Sequence, residues 1–199
     1  KMQLAMDADP AYKKAIENDL EKPKSSNFNT FGKNSSIVII IPVHVIICHP
    51  PGQSVGTGVN FSLAHVESQI TVLNEDFRRT NSDAGNTPNV FPAADVEIEF
   101  CLASVDPNGN PTDGITRYGT NQNLSSNENA IKSATGWDRD DYLNIWVGPN
   151  LGGILGWAYL PSTNNLPNAT LDGVVTASTT FGGPGYGTNN PYHLGRTTT

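Results

Sequence analysis

IVIIIPVHVIIC, running from Ile37 to Cys48, contains nine β-branched residues in twelve. Such side chains are stiff about χ1 and fit a pleated strand better than a helix. Apolar residues fall at odd and even positions alike, which predicts a strand buried on both faces. Pro42 has no N–H for a ladder, so it predicts an edge position or a bulge. The longest unbroken apolar run, Ile37 to Ile41, is far too short for a membrane-spanning helix.

Beyond this strand and the turn-rich HPPGQSVGTG, the period changes. Leu63, Val66, Ile70, Leu73 and Phe77 recur every three or four residues, which predicts an amphipathic helix capped by Ser62. Asp95 to Ala103 then alternates, with Val96, Ile98, Phe100 and Leu102 on one face of a strand. A strand–helix–strand crossover of this kind implies a parallel pair. Ser125 to Thr135 reads as a short helix with a capping box from Ser125 and Glu128, stopped by Gly136. Tyr142 to Val147 is a strand with Leu143, Ile145 and Val147 on one side and Tyr142, Asn144 and Trp146 on the other. Ile154 to Leu160 and Leu171 to Ala177 are further strands, and the remainder is loop. The order β-α-β-α-β-β-β places the chain in the α/β (α+β) class. Upstream, residues 4–22 read as a thin-striped helix with Asp9 as N-cap and Pro10 in its first turn. Residues 23–35 read as a linker, with a boundary near residue 34.

Asn, Gly, Pro and Thr make up 73 of the 199 residues, a balance that favours turns and strands over long helices. Residues 1–33 carry a charge of about +1 and residues 34–199 about -8, within a total of -7. An acidic body repels phosphate backbones and no basic patch offsets it, so neither nucleic acid nor a membrane is an expected partner. Cys48 and Cys101 are compatible with one disulfide or with two buried thiols, and the residues leave both open.

No P-loop, dinucleotide fingerprint or H-E-x-x-H occurs. His44 and His49 sit five apart on one strand and face opposite ways, so they cannot share a metal. His65 falls off the helical stripe and reads as a solvated residue. Asp106, Asn108, Asn110 and Asp113 alternate like the start of a calcium loop. Pro111 replaces the needed Gly, however, and the spacing suits an Asx-type turn better. Asp138, Asp140 and Asp141 read as a solvated turn. Trp146, Trp157 and Tyr159 could stack on sugars or pack in a core.

Eight segments, taken in order, resemble one family. They are IPVHVI (Ile41 to Ile46), QITVLNEDFRRTN (Gln69 to Asn81), IEFCLA (Ile98 to Ala103), DPNGNPTDGITR (Asp106 to Arg117), YLNIWV (Tyr142 to Val147), GILGWAYLP (Gly153 to Pro161), DGVV (Asp172 to Val175) and HLGRTTT (His193 to Thr199). Together they resemble the pappalysin family of secreted bacterial metzincin zinc metallopeptidases, and Ala8 to Lys22 is similar to the end of that family's pro-segment. The resemblance implies a metzincin-like N-terminal subdomain over residues 34–199: a twisted mixed sheet with a backing helix, preceded by a pro-segment-like helix and linker at 1–33. It implies zinc as cofactor, with calcium also possible, a protein or peptide substrate, and an extracellular location. In the family a segment like LGRTTT leads into the helix bearing H-E-x-x-H-x-x-G-x-x-H. The resemblance therefore implies a chain cut before its zinc ligands, holding no catalytic or metal residue and inactive as given. It further implies that Gly153 to Leu160 forms the upper rim of the substrate cleft, with Leu155, Gly156, Trp157 and Ala158 binding substrate through their backbones. The alternatives are a non-catalytic secreted binding module on the same scaffold, for instance for carbohydrate, and a calcium-binding adhesion domain built on the Asp106 loop. A half-domain of this kind should leave Ile154, Leu155 and Trp157 wet and fold marginally.

Overall fold

The computed structural model describes residues 37–88, 93–159, 169–186 and 191–198. The helix expected over 4–22 and the linker after it lie outside the described residues.

The β-branched run forms β1 (Ile39–His49), and three other strands pair with it. β2 (Ile98–Leu102) lies parallel along its first half and β3 (Ile115–Gly119) parallel along its second half, end to end on one side. β4 (Leu143–Gly148) runs parallel on the other side. β6 (Val174–Ala177) adds to β4 in parallel, and β5 (Gly156–Ala158) closes the order β2-β1-β4-β6-β5 as an antiparallel strand. The crossover and the mixed sheet are those the sequence predicts. β3 is not among the strands it predicts.

Pro42 is accommodated differently from the sequence expectation, because β1 is an interior strand. Ile39 N–H donates to Glu97 O and Ala103 N–H to Val43 O, so odd residues of β1 address β2. Pro42 addresses the β4 side, and pairing with β4 starts one residue later, at Val43 opposite Leu143. Its missing donor therefore faces a place where no ladder has begun. Burial follows the same division: Ile39 and Ile40 are exposed, whereas every residue from Val43 to His49 is buried. Gly114 sits where the chain rejoins β1 after β2, with φ +73°, and a Cβ there would lie 2.8 Å from Ala103 N.

Two helices cover the two faces. α1 (Leu63–Phe77) is capped by Ser62, whose side chain accepts from His65 N–H. It packs Val66, Ile70 and Leu73 on Val43, Val45, Ile47, Phe100, Ile145 and Val147. Leu63, the first residue of the stripe, stays exposed. α2 (Leu124–Thr135) covers the opposite face with Leu124 and Ile131 against Ile46, Cys48, Trp146 and Val175. Truncating Ile46 to Ala should cost about 2–5 kcal/mol at so well-packed a position.

His44 bonds three strands together from inside the sheet. Its Nδ1–H donates to Asn144 Oδ1 on β4 at 3.0 Å, and its Nε2 accepts from Thr116 Oγ1–H on β3 at 2.7 Å. This tautomer follows from Asn144, whose amide nitrogen is taken up by Trp137 O. The Trp137 ring stacks on the imidazole at 3.7 Å. Burial pushes His44 down to about 4, against the Asn144 hydrogen bond, which raises it.

Cys48 and Cys101 do not pair. Cys101 sits opposite Pro42, six positions along β1 from Cys48, a separation of roughly 20 Å at strand rise. A disulfide needs its Cα atoms within about 7 Å. Burial pushes the Cys48 thiol up to about 12, whereas Cys101 is exposed. A thiol reagent should label one cysteine in the native chain and both in denaturant.

A second expectation concerns pH. The unfolded chain takes up a proton on His44 near its ordinary value of 6.5, whereas the folded chain refuses it until about 4. Stability present above pH 6.5 is thus lost as the pH falls toward 4, by on the order of 3 kcal/mol. His65 is also lowered by burial and acts in the same sense. Urea melts across this range should show the slope, and His44→Gln should flatten it.

Candidate functional site

β5 is three residues long and pairs with β6 alone among the described strands. Ala177 N–H donates to Leu155 O at 2.8 Å, and Trp157 lies opposite Val175 in the same register. Backbone groups alternate along an antiparallel pair, so Leu155 and Trp157 address β6 while Gly156 and Ala158 turn their N–H and C=O outward. The four residues expected to bind substrate thus divide into an inner and an outer pair. A Cβ at Gly156 would lie 2.4 Å from Val175 O, so only glycine lets β5 approach β6 this closely. Ile154 is exposed, as expected, whereas Leu155 and Trp157 are half-buried.

One carboxylate organises the side chains behind this strand. Glu128 Oε1 accepts from Trp157 Nε1–H at 2.8 Å, and Oε2 accepts from the Tyr159 hydroxyl at 2.8 Å. Lys132 Nζ lies 2.9 Å from Oε1, one helical turn along α2. Lys132 is fully buried. It also donates to Leu171 O at 2.8 Å and lies 4.5 Å from the Trp146 ring centre and 5.4 Å from that of Tyr159. Burial pushes Lys132 down against its pairing with Glu128. Burial raises Glu128, but donation from Trp157, Lys132 and Tyr159 outweighs it and holds the carboxyl below its ordinary range. Burial, then the neighbouring carboxylate, raises Tyr159.

Glu128 therefore does not form the expected capping box. α2 starts one residue earlier, at Leu124, and Asn123 caps it, its Oδ1 accepting from Ser125 N–H at 2.8 Å. Leu124 is buried in the core, which draws the helix start toward it. Of the three aromatic residues singled out in the sequence, Trp146 is buried in the core, and Trp157 and Tyr159 are half-buried with their polar atoms bonded to Glu128.

His65 is buried instead of solvated. Its Nε2–H donates to Phe181 O at 2.9 Å and its ring stacks on Phe61 at 3.8 Å. Beside it on α1, fully buried Gln69 accepts from Gly182 N–H at 2.8 Å and donates to Gly195 O at 2.9 Å. Gln69 thereby fastens two stretches of the glycine-rich C-terminal region to α1. Arg196 adds ion pairs to Asp76 at 3.3 Å and to Asp83. His49 donates from Nδ1 to Pro50 O at 2.9 Å. Asp106 Oδ1 accepts from the N–H groups of Asn108 and Asn110, the geometry of an Asx turn. Asp138 accepts from Asp140 N–H in a second exposed turn. Among the described residues, no three His, Cys, Asp or Glu side chains converge as a metal site.

No protein-family model matches the chain. It is 27% identical over 178 residues to an extracellular metalloprotease of Pyricularia oryzae, covering 89% of this chain and 52% of that protein. It is 42% identical to mature mirolysin of Tannerella forsythia, solved in complex with a cleaved peptide. That match has a TM-score of 0.67 and covers 80% of this chain and 60% of mirolysin. A promirolysin mutant matches at 41% identity and the same TM-score, over 82% of this chain and 54% of the other. The chain is similar in fold and sequence to metalloproteases, and it spans about half the length of the curated relative it matches. No described helix is long and apolar enough to cross a membrane.

Glu128→Ala should destabilise the fold by about 3–5 kcal/mol in denaturant melts, because it strands a buried ammonium. Replacing both charges with apolar residues of similar volume should restore most of that loss.

Proposed function

We propose that the chain is the N-terminal subdomain of a secreted zinc-dependent endopeptidase of the metzincin type, akin to the pappalysins. One observation carries this reading. A short edge strand turns the backbone groups of Gly156 and Ala158 outward, in a chain 42% identical to a metalloprotease solved with a cleaved peptide. A substrate peptide adds to that edge as an antiparallel strand. Its backbone exchanges hydrogen bonds with Gly156 and Ala158, while Leu155 and Trp157 hold the strand to β6.

The described residues do not form a zinc site, because no three His, Cys, Asp or Glu side chains among them converge. His44 is engaged by Asn144 and Thr116, His65 by Phe181 O and His49 by Pro50 O, while His193, whose Nδ1 is buried without a partner among the described residues, belongs to no such group. We place the zinc ligands and the general base in the part of the relatives' length that this chain does not span. On this reading residues 1–33 belong to a pro-segment, and the 199 residues bind peptide without cleaving it.

The test compares this chain with the protein encoded by the natural reading frame carried past Thr199. The longer protein should retain about one zinc and hydrolyse casein, whereas the 199 residues should do neither. A stop codon at that point, or a longer protein without zinc, would overturn the assignment.

A further inference from the structure

We infer that Glu128 and Lys132 are positioning residues for the substrate strand: from α2 they clamp β5 in its extended form before any peptide arrives. This rests on the reading of β5 as the strand that pairs with substrate.

A three-residue strand with one neighbour has little of its own to keep it extended. If β5 frayed, a peptide would have to order it on binding, and the affinity would fall by that entropy. The clamp addresses this weakness directly. Trp157 and Tyr159 flank Ala158, and their polar atoms end on the two oxygens of one carboxylate, each at 2.8 Å. Both anchors leave the strand on its α2 side, so among the described residues nothing covers the outward backbone groups of Gly156 and Ala158. Lys132 holds the carboxylate from beneath. Its bond to Leu171 O also ties it to the turn that delivers the chain into β6. One ion pair thereby fixes β5 and the approach to its partner strand relative to α2. A carboxylate whose role was only to cap α2 would face its N-terminus, where Asn123 already sits.

The experiment uses two variants chosen to leave no lone buried charge. Tyr159→Phe removes one anchor and keeps the ring. Glu128→Leu combined with Lys132→Met removes both charges and both acceptor oxygens together. Each is compared with the unaltered chain by amide hydrogen exchange and by binding of a fluorescein-labelled unstructured decapeptide. The expected result is amide exchange at least tenfold faster in β5, with unchanged protection in β1. Peptide affinity should fall at least fivefold for Tyr159→Phe and further for the double variant. A purely structural contribution would raise exchange in β1 and β5 together, and that outcome would overturn the positioning role. So would variants that bind the peptide as well as the unaltered chain. An unaltered chain that ignores the peptide overturns the substrate-strand reading, and the positioning role falls with it.

Discussion

The parallel pairing of β1 with three neighbours is the constraint on which the remaining structure depends. β2, β3 and β4 all meet at this strand, and its alternating side chains supply both hydrophobic layers. Val43, Val45 and Ile47 feed the layer under α1, and Ile46 and Cys48 the layer under α2. Each buried aliphatic side chain contributes about 1.5–3 kcal/mol. A strand sandwiched this way has no room for an unmatched polar group. His44 is tolerated because β3 and β4 each give it one hydrogen-bond partner. The position of Pro42, one residue before β4 joins, meets the same demand by omission.

From this centre the sheet weakens toward β5. β4 is held by β1, β6 by β4, and the three-residue β5, among the described strands, by β6 alone. Besides its ladder, two of the aromatic residues at this strand are bonded to one partly buried carboxylate. On the proposed reading of β5 as the substrate strand, the arrangement reconciles two opposed needs. A surface that accepts a peptide backbone must leave N–H and C=O groups unpaired, yet a short strand with unpaired groups is easily lost. Anchoring the strand through its α2-facing side chains leaves its outer edge available. On the opposite face, α1 performs a comparable service for the glycine-rich C-terminal stretches through Gln69, His65 and the Arg196 ion pairs.

Much of this was legible in the sequence, for local reasons. The 3–4 spacing from Leu63 to Phe77 and the alternation in YLNIWV report which face is buried, and both helix and strand lie where those patterns put them. β3 was hidden because ITRYG has no buried face: its residues are half-buried or exposed, and Arg117 in its middle reaches back to Asn60 and Phe61 O. His65 looked solvated because its cover, Phe181, lies 116 residues away. Glu128 satisfied the spacing of a capping box, yet two of its three donors come from 29 and 31 residues downstream. The i, i+4 spacing of Glu128 and Lys132 was the one local sign that this carboxylate had a partner on its own helix. The outward turn of Gly156 and Ala158 depends on register with β6, which strand composition does not encode.

The central claim is that a peptide joins the sheet at the outer edge of β5. The most direct measurement is nuclear Overhauser contact between an isotopically labelled chain and an unlabelled extended peptide. The account predicts cross-strand contacts from the Gly156 and Ala158 amides in an antiparallel pattern, with the Leu155 and Trp157 amides still bonded to β6. Contacts centred elsewhere on the sheet, or none at β5 at saturating peptide, would contradict it.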